Sequence, residues 1–182
     1  MKVKEILPIL KDCGWQCHKD EVGDYFCLMD IDERLAQIIP AIGKRTDHFR
    51  VSFMPSVSTK IFTAATAFIL GEQGDHEPVI VSNDIPEKIA NFSAADVVRL
   101  SQAAINWAVS QDIEQGLAAY RALPTDSKGA LPLRHLAALA IAGDKKKLEN
   151  YKCSFEHGDR LGFVPYISLE MVERALLVSL DY

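Results

Sequence analysis

The chain has 182 residues, a formal net charge of −5, 48% apolar and 25% charged residues. Those values describe an ordinary folded protein with length for one well-buried core, and they exclude a disordered chain, a disulfide-built miniprotein and a general nucleic-acid binder, which needs a basic surface to neutralise phosphates. No run approaches 18 apolar residues and Met1–Glu5 leads into no signal-like apolar core, so no membrane association and a cytoplasmic location are expected.

Val3, Ile6, Leu7 and Leu10 follow helical spacing, with Gly14 placed to stop the helix; Pro8 then lies either in a first turn beginning near Glu5 or at a kink. From Trp15 the pattern changes to short aromatic and β-branched runs. Trp15–Lys19 and Tyr25–Met29 flank a Gly23 hairpin loop, Arg34–Ile39 follows an acidic turn, and His48–Met54 alternates Phe49, Val51 and Phe53 with polar neighbours. The expectation is one antiparallel meander of three or four strands, up to five with later additions, with the Tyr25 strand central because both its faces are apolar.

Ser58–Leu70 fits strand or helix; the threonines at 59, 63 and 66 against Ile61, Ala65 and Phe68, closed by Gly71, favour helix. Pro78–Ser82 reads as a brief strand. Helices follow to the end. Ser93 and Asp96 open the first, with Val97, Leu100, Ala104 and Trp107 inward; Asp112–Leu123 is next, with Ile113, Leu117 and Tyr120 inward. Leu131–Ala142 has little room for a wet face, Gly143 and Asp144 end it and cap Lys145–Phe155, and Leu169–Leu180 puts Leu169, Val172, Leu176 and Leu180 on one face. The Lys145–Lys147 triplet reads as a solvated first turn. Ala108 and Asp112 recur as Ala140 and Asp144 after 32 residues, and Leu117 and Tyr120 as Leu148 and Tyr151 after 31. That spacing suits a duplicated helical hairpin or two pairs meeting the same packing demand.

The architecture expected is therefore α+β: an N-terminal helix and antiparallel meander packed on a C-terminal bundle of about five helices arranged as hairpins. The boundary falls between an α/β sheet subdomain at residues 1–90 and an all-helical one at 91–182.

Cysteines at 13, 17, 27 and 153 are too few and irregular for a disulfide scaffold and read as reduced thiols. Cys13, Cys17, His18 and Cys27 come nearest to a metal site, but Cys17 and His18 point to opposite strand faces, so no metal and no cofactor are expected. The histidines, at 18, 48, 76, 135 and 157, are scattered, and no nucleophile elbow, phosphate loop, dinucleotide turn or zinc-protease helix is present. In the loop after Glu156, His157 and Asp159 could exchange protons while Arg160 holds an anion; alternatively these residues simply shape the turn with Gly158 and Gly162. Asp20, Glu21, Asp24, Asp30, Asp32 and Glu33 place six acids in fourteen residues, at two turns of the sheet. If the turns share an end or a face, they form a patch that steers a basic partner.

Leu136–Asp144, Leu-Ala-Ala-Leu-Ala-Ile-Ala-Gly-Asp, followed by Asp159–Ile167, Asp-Arg-Leu-Gly-Phe-Val-Pro-Tyr-Ile, resembles small bacterial proteins of the domain-of-unknown-function kind, and the helix, meander, helix order resembles type III secretion chaperones. The resemblance implies a non-catalytic protein-binding module. Its most concrete form is an immunity protein that neutralises a toxin; the alternatives are an effector chaperone, which should be a homodimer, and an enzyme using the 156–160 loop. The partner expected is another protein, a toxin or effector of basic character, and neither nucleic acid nor membrane.

Overall fold

The computed structural model describes residues 1–71 and 79–182. In chain order the elements are α1 (Val3–Asp12), β1 (Gln16–Lys19), β2 (Tyr25–Ile31), β3 (Arg34–Ile38), β4 (Ala41–Lys44), β5 (Phe49–Ser52), β6 (Ser56–Thr59), α2 (Lys60–Leu70), β7 (Val81–Ser82), β8 (Glu87–Ile89), α3 (Ala94–Ser110), α4 (Ile113–Arg121), α5 (Leu131–Ile141), α6 (Lys145–Glu156) and α7 (Leu169–Val178), ending in a 3₁₀ turn at Ser179–Asp181. The α+β class expected from the sequence is present: an N-terminal helix, antiparallel sheets and five C-terminal helices. The elements form two compact units, one of Met1–Ser58 with Val79–Gln111, the other of α2 with Asp112–Tyr182. This division interleaves the chain where the sequence suggested a cut near residue 90, because α2 belongs with the helices and α3 with the sheets.

In the sheet unit, α1 is fixed at its start by the Glu5 carboxylate, which accepts from the Lys2 amide at 3.0 Å, and is stopped by Gly14 at φ +97°. The helix begins at Val3, so Pro8 falls inside it and past its first turn. Ile6 and Leu10 are buried, and α1 packs on α3. The β1–β2 hairpin is closed by Asp20, whose Oδ1 accepts from the amides of Gly23 and Asp24, both at 2.7 Å. Trp15 is buried and donates its indole N–H to Ser101 Oγ at 2.8 Å, tying the entry of β1 to α3. Arg34 donates to the carbonyls of Ala108 and Gln111 at 2.7 and 2.9 Å, placing a cation at the negative end of α3.

Two sheets replace the single meander. One has the order β1-β2-β3-β6-β7, so the middle position belongs to β3, with the Tyr25 strand between β1 and β3; the other has the order β4-β5-β8. The expected His48–Met54 strand is split from the first sheet and lies in the second, as β5. Its neighbours explain the switch. Pro40 separates β3 from β4, Met54, at φ +39°, with Pro55 separates β5 from β6, and Pro86 separates β7 from β8, so a residue without an amide donor lies at each of the three changes of sheet. Strand β7 supports the Pro78–Ser82 expectation at Val81–Ser82, which pairs with β6; Pro78 and His76 lie outside the described residues.

The cysteine expectation is corrected here. The register of β1 on β2 sets Cys17 directly opposite Cys27, and the two are joined as a disulfide with Cα atoms 4.0 Å apart, whereas Cys13 and Cys153 are free. Pairing follows from register, which spacing alone did not disclose.

In the helical unit, Thr59 caps α2 by accepting from the Phe62 amide at 3.1 Å, and Gly71 ends it at φ +79°. Helix is thus the answer for residues 60–70. Asp112, Asp144 and Ser168 cap α4, α6 and α7 in the same way. Helix α5 is the buried centre, with Leu133, His135, Leu136, Ala137, Ala138, Leu139 and Ala140 all inaccessible, and it packs on α2, α4, α6 and α7. The inward face of α7 is Met171, Val172 and Ala175, with Ser179 beyond. The tightened turn at its end rotates Leu180 outward, which corrects the expected face.

Candidate functional site

The six acids do not converge. Asp20, Glu21 and Asp24 belong to the β1–β2 turn, Asp32 and Glu33 to the β2–β3 turn, and Asp30 sits on β2 opposite Leu35. Consecutive turns of a meander fall at opposite ends of the shared strand, here seven residues long, which separates the two groups by about 20 Å. Asp20 is further committed to its own turn. The sequence could have excluded a single patch at this point from connectivity alone.

The 156–160 loop is also committed to its own geometry. His157 lies at the C-cap of α6 and donates Nδ1–H to the Cys153 carbonyl at 2.7 Å. Asp159 accepts from the Leu161 amide at 2.8 Å, supporting the positive φ of that residue. Arg160 donates to the carbonyls of Val164, Pro165 and Ile167, at 3.0, 3.1 and 2.6 Å, and its guanidinium lies 5.3 Å from the Phe155 ring. All three residues make hydrogen bonds to backbone groups of this segment.

The grouping around Cys13 is likewise separated by the fold, since Cys17 and Cys27 are bonded to each other and His18 stacks on Phe26 at 5.4 Å. The histidine that sequence reading passed over is His135. Fully buried, it donates Nδ1–H to the Tyr120 carbonyl at 2.8 Å and accepts from the Tyr151 hydroxyl at 3.0 Å. Burial pushes its pKa below the ordinary 6.5 and pushes the Tyr151 phenol up to about 12, so both groups are held neutral. The two tyrosines of the sequence echo meet on this one imidazole. A histidine in the middle of an otherwise apolar helix was the available signal.

At α2 and α7 the helical unit also presents apolar side chains outward. Phe62, Ala65, Thr66 and Ile69 turn α2 inward, and Thr66 satisfies its buried hydroxyl by donating to the Phe62 carbonyl at 2.7 Å. The adjoining face carries Ile61, 48% exposed, and Phe68, 50% exposed, with Ala65 at the boundary of the two. Facing them across a groove of about 400 Å³ is the end of α7, with Leu177 55% exposed. Ala64 and Ala65 form the low floor, and Asp181 supplies the acidic side chain of the lining. The spacing of 61, 64, 65 and 68 is one stripe of a helix, so the groove has the form that accepts another amphipathic helix lengthwise. Isolated exposed apolar residues are ordinary, whereas these three border one shared depression.

Among the described residues no helix is long and apolar enough to cross a membrane. No curated protein and no solved structure matches the chain. Its sequence does follow one family pattern, from residue 2 to residue 179, and the chain belongs to that family, the Family of unknown function (DUF6990).

Proposed function

We propose that the protein is a non-catalytic protein-binding module whose docking surface is the α2–α7 groove, and that its occupant is an amphipathic helix of a partner protein. The exposure of Ile61, Phe68 and Leu177 around an alanine floor carries this reading. Burying what remains exposed on three such side chains contributes on the order of 1 kcal/mol each, and Asp181 favours an occupant with a basic residue at the matching end. In its most concrete form the module is an immunity protein that occludes a toxin. The acid groups at the two turns then act as separate steering charges for a basic partner. The cytoplasmic location expected from the sequence belongs to the same proposal, with the Cys17–Cys27 pair reduced while the module works there.

A photo-crosslinking residue placed at Phe68, with a second protein carrying it at the exposed Glu149 as control, tests the reading in the native cell. A distinct protein captured at position 68 and not at 149 supports it. A cross-link between two copies at position 68 turns the reading toward a homodimeric chaperone, and equal capture at both positions, or none at 68, refutes the groove.

A further inference from the structure

The second sheet carries a feature independent of the groove. Strands β4, β5 and β8 pair so that Gly43, Arg50 and Lys88 stand in one row across the sheet, with Arg50 directly opposite both of the others. Directly opposed residues point to the same face, so Arg50 and Lys88, both exposed, form a like-charge pair, and such pairs destabilise a sheet unless an anion sits between them. Arg45, one residue past the end of β4, lines the same depressions as Arg50. Among the described residues the side chains of Lys44, Arg45, Arg50 and Lys88 make no hydrogen bond or ion pair. This accumulation occurs in a chain of net charge −5, so composition does not explain it.

The acids nearby are otherwise occupied. Asp47 is paired with His48 at 2.7 Å, and Asp84 accepts from Ser52 Oγ at 2.6 Å. Two adjoining depressions, of about 350 and about 800 Å³, share Arg45, Arg50 and Pro86 in their walls. Gly43 lines the smaller one. Its φ is not in the left-handed range and a Cβ there would meet only the Arg50 carbonyl at 3.8 Å, so neither conformation nor packing requires glycine; its missing side chain leaves room beside the guanidinium.

We propose that this face of the β4-β5-β8 sheet binds a compact phosphate dianion, gripped by Arg50 and Lys88 with Arg45 at the rim. Three short strands span about 10 Å across and about 13 Å along, which matches one or two phosphate groups and not the extended track of a nucleic acid. A guanidinium offers paired donors to phosphate oxygens and an ammonium a mobile point charge, a division of labour suited to a dianion. The phosphate can belong to a free metabolite or to a phosphorylated side chain.

Calorimetric titration of the full chain with pyrophosphate in chloride buffer tests the assignment. Binding is expected, with affinity falling at least about tenfold in Arg50→Gln and in Lys88→Gln, as loss of one charged hydrogen bond predicts, and unchanged in Lys152→Gln, whose ammonium is paired with Glu156 and Glu173. Without ligand, both variants should unfold at a temperature no lower than the unmodified protein, and a fixed pyrophosphate concentration should raise the latter's midpoint more than theirs. A lowered midpoint in either variant would show that the cations already have partners, and would overturn the proposal, as would absent binding or binding indifferent to both substitutions. ADP and a phosphoserine peptide separate the two sources, and dependence of either on Arg50 and Lys88 supports the site. An oligonucleotide bound more tightly than pyrophosphate, with a salt dependence above about two counterions, would replace the compact anion with a nucleic acid.

Discussion

Replacing His135 by alanine removes the only polar side chain from the buried face of α5, and the cost can be assembled from its surroundings. The imidazole is fully buried and lies 5.9 Å from the Tyr151 ring and 6.4 Å from that of Phe163, so its deletion leaves a cavity costing about 2–4 kcal/mol. The Tyr151 hydroxyl loses its acceptor inside the unit, for about 1–3 kcal/mol more. The Tyr120 carbonyl is less affected, because the Leu123 amide also donates to it at 3.2 Å. The total, about 3–7 kcal/mol, is a large share of an ordinary domain's stability of about 5–15 kcal/mol. Urea unfolding followed by circular dichroism at pH 8 measures it, and the pair of single variants with His135→Ala/Tyr151→Phe isolates the hydrogen bond, with a coupling of about 1–2 kcal/mol expected. The pH dependence is a second readout. Because burial depresses the folded imidazole's pKa beneath 6.5, the unfolded chain takes up a proton that the folded one refuses, so this contribution is complete above about pH 6.5 and declines as pH falls below it. The limiting slope is about 1.4 kcal/mol per pH unit. His135→Ala should show a shallower acid limb than the unmodified protein. Parallel limbs and a coupling under about 0.5 kcal/mol would refute the account of a neutral, doubly bonded imidazole.

Further outcomes follow from other contacts. Gly71→Ala should destabilise by more than the ~1–2 kcal/mol of a left-handed alanine, because the new Cβ collides with the Arg174 guanidinium that caps α2 through the Ile69 carbonyl at 3.1 Å; thermal unfolding checks it. Ser101→Ala orphans the buried Trp15 indole N–H and should cost ~1–3 kcal/mol, with a shifted tryptophan emission as a local signature. Reduction of Cys17–Cys27, which closes a loop of separation 10, should lower stability by up to about 3 kcal/mol, measured by urea unfolding with and without reductant. At the alkaline end, the Tyr151 phenol, raised to about 12, contributes stability that is complete below pH 10 and lost as pH rises from there through 12, a loss that Tyr151→Phe should abolish.

Local chemistry made many of the helix ends legible. Ser93 with Asp96, Asp112, Asp144 and Gly71 mark their helix ends because a cap needs only a short polar side chain or a left-handed residue, and both are visible in sequence. The hairpin around Gly23 was legible for the same reason. Partner identity across the sheet was not: Pro40 and Pro55 announce breaks without saying that the chain changes sheets at them. The Cys17–Cys27 bond waits on register in the same way, and so does the meeting of Arg50 with Lys88. Helix α2 posed another difficulty. It is apolar on both sides, so periodicity identifies a helix but does not tell which side faces outward.

The interleaved division of the chain constrains synthesis and dissection alike. The contact from Arg174 to Ile69 joins residues 105 positions apart, so a nascent α2 emerges long before the segment that closes its end exists, and must wait with apolar surface on both sides for α5 and α7 to arrive. No single cut yields either half intact. A fragment starting at Asp112 lacks α2, and one stopping at Ser58 lacks α3, so truncation at any one point should give insoluble material, and transfer of the helical half to another scaffold requires two separate stretches of sequence.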